Sequence, residues 1–204
     1  MIITYHGNHF IKITYGETTV AINPPSLSVE KKVSRFGADV VICSTLEPLM
    51  HGIETVTYGD RAPFVVDGPG EYEVGEVFIR GYLTKTSGGA SLNTAYVLRL
   101  EDMQIICLGD IVEKDAVPPA MREAIEDADI VIVPAREGGG LAPGAAYGIA
   151  RTLGAKLIIP VAYSKASLEI FLKEGGGASE TTAKATLKKK DLTGREADIF
   201  VITE

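Results

Sequence analysis

Hydrophobic and polar residues alternate along the N-terminal part of the chain, in the stretches MIITYH, FIKITYG and TTVAIN. Alternation places successive side chains on opposite faces of a strand, so these stretches predict three strands, not a secretory signal. Gly16 and Glu17 separate the second stretch from the third, which predicts a tight hairpin at this point.

Beyond this region, short apolar runs predict strands and longer periodic segments predict helices. The predicted strands are ADVVICS, ETVTYG, PFVVDG, YEVGEVFIRGYL, TAYVLRL, MQIICLGD, DIVIVPA, AKLIIPVAY and ADIFVIT. The predicted helices are SVEKKVSRFG (ending at Gly37), PPAMREAIEDA, PGAAYGIARTLG and SKASLEIFLKEG. The loop REGGGLAPG joins a strand to a helix, and residues 173–196 are compatible with a helix or a mobile segment.

A weak internal repeat relates the two halves of the chain, since FGADVVICST at 36–45 resembles EDADIVIVPA at 126–135. In each half a hairpin precedes a helix, and the helix precedes an Ala-Asp strand. This order predicts an α/β protein with two mixed sheets packed face to face and helices outside, a four-layer αββα sandwich. Because no Pro/Ser-rich linker interrupts the chain, we expect a single domain over residues 1–204.

Composition and charge narrow the classes of function. The 204 residues are 46% hydrophobic, enough for a core, and the net charge of −7 provides no chain-wide basic surface for nucleic acid. No apolar run approaches the roughly 20 residues that span a bilayer. Cys43 and Cys107 lie in apolar runs, which predicts buried free thiols and, by default, a cytoplasmic location.

The loop after the buried run ADVVICS carries Glu47 and His51, and loops that follow buried strands often carry function. It could bind a metal, supply an acid or base, or have no chemical role. Asp110 stands at the end of MQIICLGD and has two possible roles. It is a residual metal ligand or general base, or it is a carboxylate that caps the following turn, which is the interpretation that we favour. We expect Glu47 to be an exposed loop carboxylate.

Two other sets of residues could contribute to binding. His6, His9 and His51 are the only histidines, and His6 and His51 could approach each other, although ordinary loop histidines are the simpler interpretation. Arg136 precedes a glycine-rich stretch before a helix, which could hold an anion such as phosphate. The glycines match no phosphate-loop pattern, so this indication is weak.

Several segments in order, among them ADVVICSTLEPLMHG, GPGEYEVG, LNTAYVLRLEDMQIICLGDI and AKLIIPVAY, resemble the metallo-β-lactamase-fold hydrolases. The similarity is to the branch that includes the ascorbate-6-phosphate lactonase-like proteins, and it covers roughly residues 2 to 175. It implies the αββα sandwich and a centre of two metal ions, usually zinc, held by His and Asp side chains.

The ligand positions implied by this resemblance have mostly changed. The three His positions of the T-H-x-H-x-D-H loop carry Thr45, Glu47 and Met50, and its Asp position carries Leu49. A further His is missing from KTSGG, and Ala162 replaces the last one. Asp110 is retained, and Glu47 could still coordinate a metal.

Positions next to the implied site have changed as well, since Asn8 replaces a His and Asn23 replaces an Asp. We therefore expect neither a metal nor another cofactor, and we expect Leu49 and Met50 to fill the former metal pocket near Ala162.

The predicted function is non-catalytic binding of an unknown small molecule or protein, with self-association left open. Its candidate binding residues are His6, Asn8, Asn23, Arg136 and Tyr163. The alternative is a metal-independent or single-metal hydrolase of a small ester, lactone or phosphoester that uses Asp110, Glu47 and His51.

Overall fold

The protein is described by a computed structural model that covers residues 1–60, 62–85, 92–138 and 141–204. Two mixed β-sheets pack face to face, as the sequence predicts. The six-stranded sheet contains β1 (Ile2–Tyr5), β2 (Ile11–Tyr15), β3 (Thr18–Ile22), β4 (Val40–Ile42), β5 (Phe64–Val66) and β13 (Ala185–Thr186), in the order β13-β1-β2-β3-β4-β5.

The eight-stranded sheet contains β6 (Gly70–Val74), β7 (Val77–Lys85), β8 (Leu92–Leu100), β9 (Met103–Cys107), β10 (Ala128–Pro134), β11 (Leu157–Val161), β12 (Glu180–Thr182) and β14 (Asp198–Ile202). Its order is β12-β14-β11-β10-β9-β8-β7-β6. Neighbouring strands from β12 to β9 in this order pair in parallel, whereas those from β9 to β6 pair antiparallel. The hairpin predicted at Gly16 and Glu17 is confirmed, because it joins antiparallel β2 and β3.

Three helices, α1 (Pro119–Ala124), α2 (Pro143–Thr152) and α3 (Lys165–Glu174), pack on the outer face of the eight-stranded sheet. The first is shorter than its sequence pattern, since β10 already begins at Ala128. Every residue of β10 is buried because helices cover one of its faces and the other sheet covers the opposite face. Within the described part of the chain, no helix is long and apolar enough to cross a membrane.

The helix predicted over residues 28–37 is wrong, because this segment is non-helical. Val33 and Phe36 from it instead pack against the outer face of the six-stranded sheet. Phe36 stacks on Phe10 with 5.7 Å between ring centroids, and the Lys12 ammonium lies 4.3 Å from the Phe36 ring centre. A helix this short is marginal by itself, so these contacts decide the conformation.

The strand predicted for ETVTYG is also wrong, since residues Ile53–Thr55 form a short 3₁₀ turn. Side-chain hydrogen bonds fix this turn to the preceding loop. The Thr55 hydroxyl donates to the Pro25 carbonyl at 2.7 Å, and the Glu54 carboxylate accepts from the Leu27 amide at 2.9 Å. Such bonds from short polar side chains to the backbone compete with strand pairing.

The uncertain segment 173–196 is built into both sheets. It supplies β12 at one edge of the eight-stranded sheet and β13 at one edge of the six-stranded sheet. After β13, a 3₁₀ turn at Lys189–Leu192 brings the Lys189 ammonium to Asp127 and to the fully buried Asp129. The segment therefore contributes to the core packing and to an ion-pair network around the buried Asp129.

Candidate functional site

Several residues of the candidate site lie on loops that follow the carboxyl ends of strands with a parallel neighbour, whereas His6 and Asn8 follow the antiparallel strand β1. Asn23 follows β3, Ser44 follows β4, and Asp110, Arg136 and Ala162 follow β9, β10 and β11. This is the edge of an α/β sheet at which ligands usually bind, because loops from several strands converge there. Hydrogen bonds between loops of the two sheets, such as that from the Ala162 amide to the Asn8 carbonyl, connect these loops into one rim.

Asn93 fixes the turn that carries Asp110. Its buried side chain donates to the Leu108 carbonyl at 3.0 Å and to the Thr84 hydroxyl at 2.7 Å, and its oxygen accepts from the Asp110 amide at 2.8 Å. Gly109 has a φ of +60°, and a Cβ atom at this position would lie 2.3 Å from the Asn93 side-chain oxygen. A glycine is therefore required before Asp110.

Two further bonds from the same β8 segment connect the eight-stranded sheet to the loop after β4. The Thr94 amide donates to the Ser44 carbonyl at 2.7 Å, and the Tyr96 hydroxyl donates to the Cys43 carbonyl at 2.9 Å. The sequence motif LNTAY was recognisable as a specific part of the resemblance. Its structural role, which is to shape the rim, was not predicted.

Asn23 lies beneath the rim and not at its surface. Its side chain is 1% exposed, accepts from the Ser44 amide at 2.7 Å and contacts the Cys107 sulfur at 3.9 Å. Burial raises the pKa of the Cys107 thiol to about 11, while hydrogen bonds from its neighbours oppose the rise. Asn23 and Cys107 therefore support the loops, and neither faces the solvent.

The loop that follows Ser44 is folded tightly against residues 24–26. The Ser26 amide donates to the Pro48 carbonyl and the Gly52 amide donates to the Pro24 carbonyl, both at 2.7 Å. The Met50 amide donates to the Glu47 carbonyl, which closes a turn. Backbone hydrogen bonds within the chain thus hold this loop in place.

This turn decides which side chains of the loop are buried. Met50 is 3% exposed, which confirms its predicted burial, and Thr45 is buried as well. The expectation that Leu49 is buried is wrong, since 38% of its surface is exposed. The turn directs Met50 inward and leaves Glu47 and Leu49 on the outside.

Asp110 forms an ion pair with Arg136, with 2.6 Å between the Asp110 Oδ1 and Arg136 Nη2 atoms. The two side chains are only 15% and 29% exposed, respectively. Burial raises the pKa of Asp110, and the adjacent guanidinium opposes this rise. The carboxylate therefore faces a fixed internal cation.

His9 lies near this pair and is 3% exposed. Its Nδ1 atom has no hydrogen-bond partner among the residues that the structure describes. Burial, together with the positive charge of Arg136, lowers the pKa of His9 to about 3. The ring is consequently neutral at physiological pH.

Four of the five predicted binding residues, His6, Asn8, Arg136 and Tyr163, line one open cleft of about 500 Å³. The Tyr163 ring stacks on Tyr5 with 5.5 Å between centroids, and its hydroxyl donates to the Ile202 carbonyl at 2.9 Å. Burial lowers the pKa of His6, whose ring contacts the Thr4 hydroxyl at 3.0 Å. Of the glycines after Arg136, Gly139 and Gly140 lie outside the described residues.

Ala162 and Asn8 connect two loops at the floor of this cleft. The Ala162 amide donates to the Asn8 carbonyl at 2.6 Å, and both residues have left-handed backbone conformations, with φ of 54° and 49°. Asn tolerates this region, but alanine adopts it at a cost of about 1–2 kcal/mol. The chain therefore keeps a strained loop at a position where the resemblance places a metal-binding His.

The three candidate catalytic residues are not joined into one cluster. His51 Nε2 lies 3.4 Å from Asp67 Oδ2, Glu47 is solvent-exposed, and Asp110 pairs with Arg136. Among the hydrogen bonds and ion pairs between described residues, none links any two of the three. The proposed approach of His6 and His51 has no contact to support it in the described structure, since His51 is not among the residues lining the cleft.

The donor set does not fit a centre of two metal ions. Thr45, Leu49, Met50 and Ala162 stand at positions where the resemblance requires His or Asp. In residues 1–60, 62–85, 92–138 and 141–204, no three His, Cys, Asp or Glu side chains are grouped closely enough to hold a metal. Zinc needs several such donors to replace its water shell.

The two-sheet sandwich, with its polar loops at the carboxyl ends of parallel strands, places the chain in the class of proteins with the metallo-β-lactamase fold. A family model described as the beta-lactamase superfamily domain matches residues 2–162, and the chain belongs to this family. No functionally curated protein matches it significantly.

Solved structures agree with this assignment. One is a Thermotoga maritima protein provisionally designated a Zn-dependent hydrolase of the metallo-beta-lactamase superfamily, with 26% identity, a TM-score of 0.77, and coverage of 98% of this chain and 97% of that one. A provisional metal-dependent hydrolase of Parabacteroides distasonis has 14% identity, a TM-score of 0.67 and coverage of 98% and 91%. The metallo-beta-lactamase fold protein YhfI of Bacillus subtilis has 12% identity, a TM-score of 0.64, and coverage of 100% of this chain and 96% of that one.

Proposed function

We propose that this chain is a non-catalytic member of its family that binds a small molecule in the cleft lined by His6, Asn8, Arg136 and Tyr163. The observation that carries the proposal is the ion pair between Asp110 and Arg136. Asp110 is the one retained ligand position, and its carboxylate is engaged by an internal guanidinium at 2.6 Å. The guanidinium opposes both proton binding at this carboxylate and the approach of a metal cation, so the pair argues against Asp110 as a metal ligand or as a free base.

The loss of the metal donors removes the nucleophile that the family chemistry needs. A zinc ion lowers the pKa of a bound water from 15.7 to about 7, which produces hydroxide at neutral pH. Glu47 is exposed to water and His51 faces Asp67, so neither is positioned beside Asp110 to replace that nucleophile. A base without a metal contributes only about 10²–10⁴-fold to a rate.

The cleft itself supports a binding role. Its volume of about 500 Å³ lies in the range of small-molecule sites, and aromatic and polar side chains line it together. The buried free thiols Cys43 and Cys107 suit a reducing compartment, so the proposal includes a cytoplasmic location. The net charge of −7 argues against nucleic acid as the ligand.

The alternative function is a metal-independent or single-metal hydrolase of a small ester, lactone or phosphoester. The provisional name of the Thermotoga maritima relative favours it, since that protein shares 26% of its residues and nearly its whole length with this chain. Under this alternative, Asp110, Glu47 and His51 would act as acid, base or ligands. It would require Asp110 to leave Arg136 during turnover.

A hydrolysis panel separates the two functions. We expect no turnover above background with lactone, phosphodiester, thioester or β-lactam substrates, with or without added zinc or manganese, because the described residues supply no activated nucleophile. The measurement is product release under each metal condition.

The control is the double variant Glu47→Gln with Asp110→Asn, together with the single variant Glu47→Gln at an exposed position. The melting temperature of each variant establishes that it is folded. Turnover by the natural sequence that the folded double variant lacks would show an enzyme and refute the non-catalytic proposal.

A further inference from the structure

Arg136 and Asp110 occupy adjacent loops of the eight-stranded sheet. Arg136 follows β10 and Asp110 follows β9, and these two strands are parallel neighbours in which Ile132 pairs with Cys107. The backbone register therefore brings the two side chains to the same end of the sheet. At their 2.6 Å contact the Asp110 side chain is only 15% exposed, so the carboxylate is largely removed from water.

We propose that the Arg136 guanidinium is a built-in cation that replaces the metal charge beside Asp110. A buried carboxylate is costly unless an opposite charge and hydrogen bonds compensate it. Two zinc ions would bring about four positive charges, far more than one Asp can balance. A guanidinium brings a single charge that cannot be lost at ordinary pH, and it matches one carboxylate.

This assignment explains why the surrounding scaffold persists although the ligands have changed. Asn93 and Gly109 hold Asp110 in a fixed position, so the carboxylate is presented to the rim whether or not a metal is bound. His9 cannot take over the compensating role, because its buried ring is neutral. Within the described residues, Arg136 is the cation paired with Asp110.

The proposal has a specific consequence for the binding properties of the site. Arg136 lines the open cleft, so truncating its side chain would leave a vacant space that is connected to solvent and ends at Asp110. That space has the shape and charge for a small planar cation. The variant Arg136→Ala should therefore bind methylguanidinium, which carries the same charged group as the lost side chain.

The test measures melting temperature in the absence of any substrate. We expect Arg136→Ala to melt several degrees below the natural sequence, and we expect millimolar methylguanidinium to restore part of the loss. Arg136→Lys, which keeps a positive charge, should melt above Arg136→Ala. The double variant Arg136→Ala with Asp110→Asn should regain stability and should show no increase with methylguanidinium.

Arg195→Ala is the matched control. Its ion pair with Asp198 also spans 2.6 Å, but both side chains are about one-third exposed and lie outside the cleft lining. Water can solvate Asp198, so methylguanidinium should not raise the melting temperature of this variant. An equal increase in Arg195→Ala, or in the double variant, would overturn the proposal, as would an Arg136→Ala variant as stable as the natural sequence.

Should Arg136→Ala not fold, Arg136→Met and Arg136→Lys provide the comparison, since they have similar lengths and differ in charge. Equal melting temperatures of these two variants would also overturn the proposal. The inference rests on the proposed loss of the metal centre, but its readout requires no turnover. Hydrolysis by the natural sequence combined with methylguanidinium rescue would contradict the proposed function and leave the internal cation supported.

Discussion

Replacing Met50 with alanine is expected to lower the free energy of unfolding by about 2–3 kcal/mol, as measured by urea denaturation. Met50 is 3% exposed, and truncating a buried methionine leaves a cavity and costs about 2–5 kcal/mol. We expect the lower part of this range, because Met50 stands outside the three main apolar clusters of the described structure. The thioether thus acts as packing at a position where the resemblance expects a metal ligand.

Leu49→Ala is the matched control, since it removes a similar volume from the adjacent position. Leu49 is 38% exposed, so its truncation should cost less than about 1 kcal/mol. Equal small effects at both positions would mean that the loop is solvated. The account of Met50 as packing beside the former ligand positions would then be wrong.

Replacing Asp129 with alanine is expected to lower the free energy of unfolding by about 1–3 kcal/mol, the cost of leaving a buried amide without its acceptor. The side chain is fully buried, accepts from the Gln104 amide at 2.9 Å, and lies 3.0 Å from the Lys156 ammonium and 2.6 Å from that of Lys189. Its removal leaves the Gln104 amide without this acceptor and takes away one of the two carboxylates that the Lys156 and Lys189 ammonium groups share. Denaturation with urea measures the loss.

Asp127 offers a control within the same network, because it contacts the same two lysines at 2.7 and 2.9 Å. Its side chain is 47% exposed, and its pKa is lowered by hydrogen bonds from these lysines. Exposed ion pairs contribute about 0–1 kcal/mol, so Asp127→Ala should have a small effect. A loss at Asp127 as large as that at Asp129 would show that burial is not the deciding factor.

The alternation of apolar residues predicts most strands of this fold. It does not predict the irregular segment that covers the outer face of the six-stranded sheet. Alternation in FIKITYG and TTVAIN identifies β2 and β3, and the continuous apolar run DIVIVPA identifies β10, which is covered on both faces. The segment SVEKKVSRFG has helical spacing, but its pattern is satisfied when Val33 and Phe36 pack on the sheet without a helix. Such tertiary contacts override a weak local preference.

The sequence predicts which residues lie near the candidate site wherever the end of an apolar run marks the end of a strand. Residues that follow apolar runs, such as Asn8 and Arg136, do meet in one cleft. The pairing of Arg136 with Asp110 was not predictable, because it depends on β9 and β10 being parallel neighbours in a particular register. The burial of Asn23 and the left-handed backbone of Ala162 likewise depend on contacts between loops that are distant in sequence.

The structure separates the parts of a site that position the loops from the parts that carry the chemistry. Asn93, Gly109 and Tyr96 hold the loops by hydrogen bonds and close contacts that need no metal. Four of the ligand positions that the resemblance implies carry Thr45, Leu49, Met50 and Ala162, while Asp110 is retained. A preserved backbone frame can therefore serve a different role, since function resides in the side chains that the frame presents.

Titration of zinc into the metal-free protein by isothermal calorimetry tests the central claim most directly. The claim is that the chain does not assemble the two-metal centre that the resemblance implies. The account predicts no stoichiometric zinc binding at micromolar protein, and a melting temperature that EDTA leaves unchanged, because no bound metal stabilises the folded state. Tight binding of two zinc ions per chain, with a melting temperature that rises on binding and falls on chelation, would contradict it.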